Sequence, residues 1–263
     1  MDFSLYLLAG AVAGLLSGLF GVGGGLIIVP ILSVVFATMA FPQFHIMHMA
    51  LGTSLASIIF TSIASARAHH RQANVDWTVV WRIAGGIVAG TLLGALVAGS
   101  LPTAPLKVIF AIFVFVIATQ MLLDFRPDAA RGLPRLPAMS AAGTVIGMIS
   151  SLVGIGGGSL SVPFLIYCNV AVKRAIGTSA AIGLPIALSG ALGFMLTGWH
   201  RPELPPYSLG YVYLPALAGI AIVSTMTAPL GARLARRLPA ATLKRAFALL
   251  LYLVGGKMIW DML

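Results

Sequence analysis

The sequence predicts an all-α integral membrane protein made of two inverted-topology repeats, each of about five hydrophobic segments. Three observations point there. The 263 residues are 59% apolar and only 8% charged. A glycine-rich motif followed by proline occurs twice, and so does a Gly-Thr-Ser triplet. Once the segments are threaded through a bilayer, the basic residues collect on one side.

Composition narrows the class first. A soluble domain carries roughly a quarter charged residues, and a chain with about a third of that cannot cover a water-facing surface. Mean hydropathy is +1.03. A spanning helix needs about 20 mostly apolar residues, so this chain holds enough for about eight to ten. Soluble enzymes, nucleic-acid binders and secreted disulfide scaffolds are excluded. The net charge of +10 fits basic cytoplasmic loops beside anionic lipid rather than nucleic acid. Cys168 is the only cysteine, so no intrachain disulfide and no multi-cysteine metal site can form. The first residues lack the positive n-region of a signal peptide and read as the first helix of the mature protein.

The duplication sets the domain plan. Residues 14–32 read GLLSGLFGVGGGLIIVPIL and residues 147–165 read GMISSLVGIGGGSLSVPFL. Gly14, Gly21, Gly23, Gly24, Gly25, Pro30 and Leu32 recur as Gly147, Gly154, Gly156, Gly157, Gly158, Pro163 and Leu165. Ala50-Leu51-Gly52-Thr53-Ser54 recurs as Ala175-Ile176-Gly177-Thr178-Ser179. Leu101-Pro102 and Leu106-Lys107 recur as Leu238-Pro239 and Leu243-Lys244. Three ordered matches define a first transmembrane repeat over 1–124, a polar linker over 125–137 and a second repeat over 138–263.

The first repeat holds apolar segments at about 3–19, 26–40, 50–66, 78–100 and 105–123; the second at about 138–153, 159–171, 176–198, 210–232 and 243–262. The first two of each half are short and joined by the glycine-rich break. They are either two short tilted spans or a re-entrant hairpin. Were each pair one continuous helix, the sixteen Lys and Arg would divide evenly. With a hairpin or two spans, Arg67, Arg71, Arg82, Arg126, Arg131, Arg135, Lys173, Arg174, Arg233, Arg236, Arg237, Lys244 and Arg245 share one side, against Lys107, Arg201 and Lys257. That asymmetry makes the linker cytoplasmic and puts both termini outside. An odd number of crossings per half also inverts the second repeat relative to the first.

Four glycines in five residues interrupt a helix. Irregular backbone in a bilayer survives only where protein or a wet cavity surrounds it. The breaks are either tight turns between packed helices or a pathway where backbone N–H groups meet an anion. They are not a dinucleotide fingerprint, because Leu26 and Ser159 occupy the last glycine position. Each Gly-Thr-Ser triplet is read as the opening of a helix, where hydroxyls are either caps or donors to an oxyanion beside the positive helix end. Ser57, Thr61, Ser62 and Ser65 follow, spaced so that several share one face, which should look inward. No Asp or Glu lies inside any apolar segment, which suits an anion better than a cation. His45 and His48 are spaced for one metal but have no acid or thiol nearby in sequence. Neither H-E-x-x-H nor G-x-S-x-G occurs, so nothing argues for an enzyme.

The paired glycine breaks, each followed by Pro30 or Pro163 and then by a Gly-Thr-Ser triplet, resemble the sulfite exporter TauE/SafE family over essentially the whole chain. The resemblance implies a permease for sulfur-containing anions such as sulfite or organosulfonates, commonly moving them outward. The expectation is a secondary transporter in the inner membrane, working by alternating access at the repeat interface. Its substrate site joins Gly23, Gly24, Gly25, Thr53 and Ser54 to Gly156, Gly157, Gly158, Thr178 and Ser179. No cofactor or resident metal is expected. The partners are the small anion and the lipid bilayer, with room for a homodimer and none for nucleic acid. Two alternatives stand beside this: a divalent-metal permease using His45 and His48, and a membrane assembly factor that transports nothing.

Overall fold

The computed structural model describes residues 3–20, 24–123, 132–235 and 239–260. Both chain ends, Gly21 to Gly23 and most of the linker lie outside them. Ten α-helices fill the described residues. In the first half they are α1 (Phe3–Phe20), α2 (Gly25–Thr38), α3 (Ile46–Arg71), α4 (Trp77–Ser100) and α5 (Thr103–Leu122). In the second they are α6 (Leu136–Val153), α7 (Gly158–Tyr167), α8 (Val172–Gly198), α9 (Leu214–Ala235) and α10 (Ala240–Trp260). A 3-10 turn (Gln43–His45) precedes α3, and a two-stranded hairpin, β1 (Ser208–Leu209) and β2 (Val212–Tyr213), precedes α9.

Local chemistry explains the boundaries. The Asp76 carboxylate accepts from the Thr78 and Val79 N–H groups and caps α4. Pro137 sits in the first turn of α6, where its missing N–H costs nothing. Gly154 ends α6 at φ 71° and Gly157 precedes α7 at φ 79°, a left-handed region in which a side chain is strained. Pro30 and Pro163 each stand at the sixth residue of a short helix.

Lengths separate the helices into two kinds. Among the described residues, five are long and apolar enough to cross a membrane, by length and composition: α3 with its preceding turn, α4, α5, α6 and α8. At 1.5 Å per residue, α2 reaches about 21 Å and α7 about 15 Å, short of the ~30 Å hydrocarbon core. Leu8, Trp81, Leu96, Ile112, Val116 and Leu253 are exposed on the outside of the bundle, where a lipid environment accepts them. Ile46 through Ile58 of α3 are buried without interruption, so α3 is central.

The helices pack by exchange between the halves. The largest contacts join α1 to α9, α6 to α4, α3 to α8, α4 to α8 and α5 to α10. α1 meets α9 at Gly10 and Gly14, and α6 meets α4 at Gly143 and Gly147. Both pairs are four residues apart and separated by the same sequence offset. A Cβ on any of the four would press on the facing helix backbone. Such small residues are what allow helices to approach closely in lipid, where no hydrophobic force joins them. A second core element is aromatic: Phe36 stacks on Phe41 at 5.1 Å, and Tyr213 meets both edge-on at 5.8 and 5.2 Å.

Candidate functional site

The two glycine breaks start two helices in the same way. The Gly24 carbonyl accepts from the Ile27 and Ile28 N–H groups, and the Gly157 carbonyl from those of Leu160 and Ser161. The first N–H groups of α2 and α7 therefore point out of their helices, as at any N-terminus. Gly25 rests on the Gly154 carbonyl, and a Cβ there would also stand 2.9 Å from Ile155 Cα. Ser54 Oγ donates to the same Gly154 oxygen at 2.9 Å. On α8, Gly183 lies against Ser62 Oγ and the Gly156 oxygen, and Ile186 covers Gly157. Five helices, α2, α3, α6, α7 and α8, thus converge on the second break.

Ser179 lies one turn before Gly183, on the α8 face directed toward the break. It is 2% exposed, and its Oγ has no partner among the described residues. Ser54 pairs with Gly154, and the counterpart of Gly154 is Gly21, outside the described residues. Ser150, Ser151 and Ser161 are also fully buried with unpartnered hydroxyls among the described residues. The sequence reading missed these three. One signal was present: Ser150 repeats Ser17 at the offset that relates the glycine breaks.

The triplets need correction. Gly52-Thr53-Ser54 lies seven residues into α3 and Gly177-Thr178-Ser179 lies in the second turn of α8. Neither opens a helix, so the backbone N–H groups of these residues are spent on helical bonds. His48, Lys173 and Arg174, the polar residues just before the triplets, lie inside the helices, and His45 lies in the turn that precedes α3. The threonines also separate from the serines. Thr53 Oγ1 accepts from the Tyr213 N–H at 3.0 Å, just before α9. Thr178 Oγ1 accepts from the Asp76 N–H at 2.9 Å, just before α4. Each triplet threonine thus holds the start of the fourth helix of the other half, while the serine faces the break. Of the expected set, Gly24, Gly25, Ser54, Gly156, Gly157, Gly158 and Ser179 gather at the break. Thr53 and Thr178 serve contacts between halves, and Gly23 lies outside the described residues.

The histidine pair is committed elsewhere. His48 Nε2 stands 2.9 Å from the Ala98 oxygen and 3.0 Å from that of Leu101. His45 meets Glu203 and Tyr211. Among the described residues, no group of three or more His, Cys, Asp or Glu side chains is arranged to hold a metal. A cavity of about 270 Å³ between α5 and α6 is lined by aliphatic side chains and Phe113. It offers an anion no donor.

Fold and site together define a multi-pass helical membrane protein with a hydroxyl-lined break at its centre. The chain belongs to the sulfite exporter TauE/SafE family, whose profile matches residues 6–258. It is 43% identical over 255 residues to a probable membrane transporter protein of Haemophilus influenzae, covering 97% of each chain. It is 30% identical to probable membrane transporter protein MJ0441 of Methanocaldococcus jannaschii, over 95% of this chain and 93% of that one. It is 27% identical to probable membrane transporter protein YdhB of Bacillus subtilis, over 90% and 91%. No solved structure gives a significant match.

Proposed function

We propose that the protein exports small sulfur-containing oxyanions, sulfite or short organosulfonates, by alternating access between two inverted repeats in the inner membrane. The observation that carries this reading is the convergence of two helix starts and several buried serine hydroxyls on one glycine break. A dehydrated oxyanion needs donors, and helix N-termini and hydroxyls supply them without a buried cation. In this reading α2 and α7 are half-crossings with their glycine ends at mid-membrane, as in other transporters with broken helices. The family description and the absence of acids inside the apolar segments favour an anion over a cation.

The test is flux. Reconstituted protein should move labelled sulfite or methanesulfonate across proteoliposomes, and empty vesicles should not. Movement of neither anion under any imposed gradient would overturn the reading.

Topology is checked separately. The thirteen-to-three basic asymmetry puts both termini outside and residues 125–137 in the cytoplasm. In a Cys168→Ala background, Gly132→Cys and Pro206→Cys should label from opposite sides with a membrane-impermeant thiol reagent. Labelling of both from outside would remove the inverted repeat.

A further inference from the structure

A buried histidine pair at one end of the bundle is left unused by the anion site. His45 closes the 3-10 turn and His48 lies in the first turn of α3; they are 7% and 2% exposed. His48 Nε2 faces two carbonyl oxygens near the C-terminal end of α4, those of Ala98 and Leu101. Carbonyls only accept, so Nε2 carries the hydrogen. Nδ1 is then a bare lone pair, and among the described residues it has no partner. A buried polar atom left without a partner is uncommon in a native fold and needs an explanation.

The surroundings place a solvent-linked network one ring away from this nitrogen. The Tyr211 ring covers His48 at a centroid distance of 4.8 Å. The ring of His45 is 5.9 Å away. His45 Nδ1 lies 3.3 Å from the Tyr211 hydroxyl and its Nε2 3.2 Å from Glu203 Oε2. The Glu203 side chain is 67% exposed. Hydrogen-bonding groups therefore run from solvent through Glu203 and His45 to the Tyr211 hydroxyl, and the Tyr211 ring, with no hydrogen bond to Nδ1, separates them from His48. Burial pushes the Tyr211 phenol up, with Arg201 opposing, so its oxygen keeps its proton.

We propose that His48 Nδ1 is a proton-binding site, and that its protonation opens the end of the bundle closed by residues 199–213. A proton taken from water adds to the Nδ1 lone pair and makes the ring an imidazolium. The two carbonyls at the end of α4 hold the Nε2 side and favour a cation there. The Nδ1 side is different. The new N–H has no acceptor in the closed arrangement, and the positive ring stands near Arg201 and His45, with Glu203 engaged by His45. Relief requires Tyr211 to withdraw so that water or a carboxylate can accept from Nδ1.

That movement is coupled to the bundle core. The Tyr211 N–H donates to the Phe194 oxygen of α8, and the Tyr213 N–H to Thr53 of α3. His48 itself is six residues before Ser54 on α3. A proton that binds the open form more tightly than the closed form shifts the population toward opening. Resting on the transport reading, the proton is then the ion that couples anion movement to a pH gradient.

The test has arms that fail separately. In purified, anion-free protein with Cys168→Ala and Leu204→Cys, the rate of thiol labelling is normalised at each pH to the same protein unfolded in detergent. The normalised rate should rise at least about fivefold from pH 8 to pH 5 if the open form binds the proton preferentially. His48→Gln keeps an N–H for the two carbonyls but has no second ring nitrogen, so its rate should stay flat. His45→Gln should keep the response. A flat parent, or a response lost in His45→Gln and kept in His48→Gln, overturns the proposal. The parent alone gives a second readout: pH-dependent deuterium exchange at the His48 ring carbon, read by mass spectrometry, should show a titration whose midpoint moves in Glu203→Gln. No titration in the parent overturns it. In proteoliposomes, methanesulfonate keeps its charge across this pH range. A pH gradient should drive its accumulation by the parent, while His48→Gln should retain only exchange. Flux indifferent to the gradient overturns the coupling. A pH-responsive Leu204→Cys with no methanesulfonate flux overturns the anion reading and leaves the proton site standing.

Discussion

Gly90→Leu should leave no recoverable folded protein, whereas Gly85→Leu should purify and melt like the parent. Both positions lie on α4, and leucine is a better helix former than glycine by up to about 1 kcal/mol at either, so propensity cannot separate them. Packing does. Gly86, Gly90 and Gly94 are four apart and share the face that meets α6. A Cβ at Gly90 would fall on the Thr144 carbonyl, one at Gly86 on the Ser140 carbonyl, and one at Gly94 2.7 Å from the Met148 oxygen. A Cβ at Gly85 has nothing within 4 Å. The obstacle at Gly90 is backbone, which cannot rotate out of the way, so the two helices must separate. Overpacking already costs about 1–3 kcal/mol where side chains can yield, against a total of roughly 5–15 kcal/mol. Gly90→Ala, the smallest addition, should lower the melting temperature by roughly 2–4 °C for each kcal/mol lost. Size-exclusion profiles and melting curves of the three variants check this. A Gly90→Leu variant with the parent's melting temperature would show that α4 and α6 do not meet in this register.

The ten segments were legible because each is an apolar run bounded by Pro, Gly or charge, and because each half confirms the other. Their ends were less so. The segments were expected to begin at about 50 and 176, yet α3 and α8 begin four residues earlier, taking in His48, Lys173 and Arg174. In a protein surrounded by lipid, polar residues at a segment end extend the helix as readily as they stop it. The second half of the hairpin was absorbed into the ninth segment at about 210–232, since Tyr211, Val212 and Tyr213 are as apolar as the helix they precede. The glycine breaks stood out as candidate site because they are duplicated. The division of labour within each triplet could not be read, because the partners of Thr53 and Thr178 lie 160 and 102 residues away. Only the packed bundle brings Tyr213 and Asp76 to them. The cluster of His45, His48 and Glu203 was hidden for the same reason: Glu203 is 158 residues from His45.

Thr53→Val and Thr178→Val should each lower the melting temperature, and Thr53→Ser and Thr178→Ser should restore it. Both threonines are fully buried, and valine has nearly the same shape, so cavity formation contributes little. What valine lacks is the acceptor. The Tyr213 and Asp76 N–H groups stand at the starts of α9 and α4, where no intrahelical carbonyl is available to them. Leaving such a group buried and unpaired costs about 1–3 kcal/mol, or roughly 2–12 °C in a protein of this size. The two sites share no partner, so the losses should add in the double valine variant. Transport distinguishes what the hydroxyls do beyond this. Each Oγ1 accepts one N–H and still has its own hydrogen to donate. If holding the halves together is the whole role, flux falls only as far as stability does, and both return with serine. If a valine variant keeps the parent's melting temperature and loses flux by tenfold or more, about 1.4 kcal/mol or above, the hydroxyl hydrogen binds the anion itself. The threonines then belong to the substrate site, and the contact between the halves is secondary.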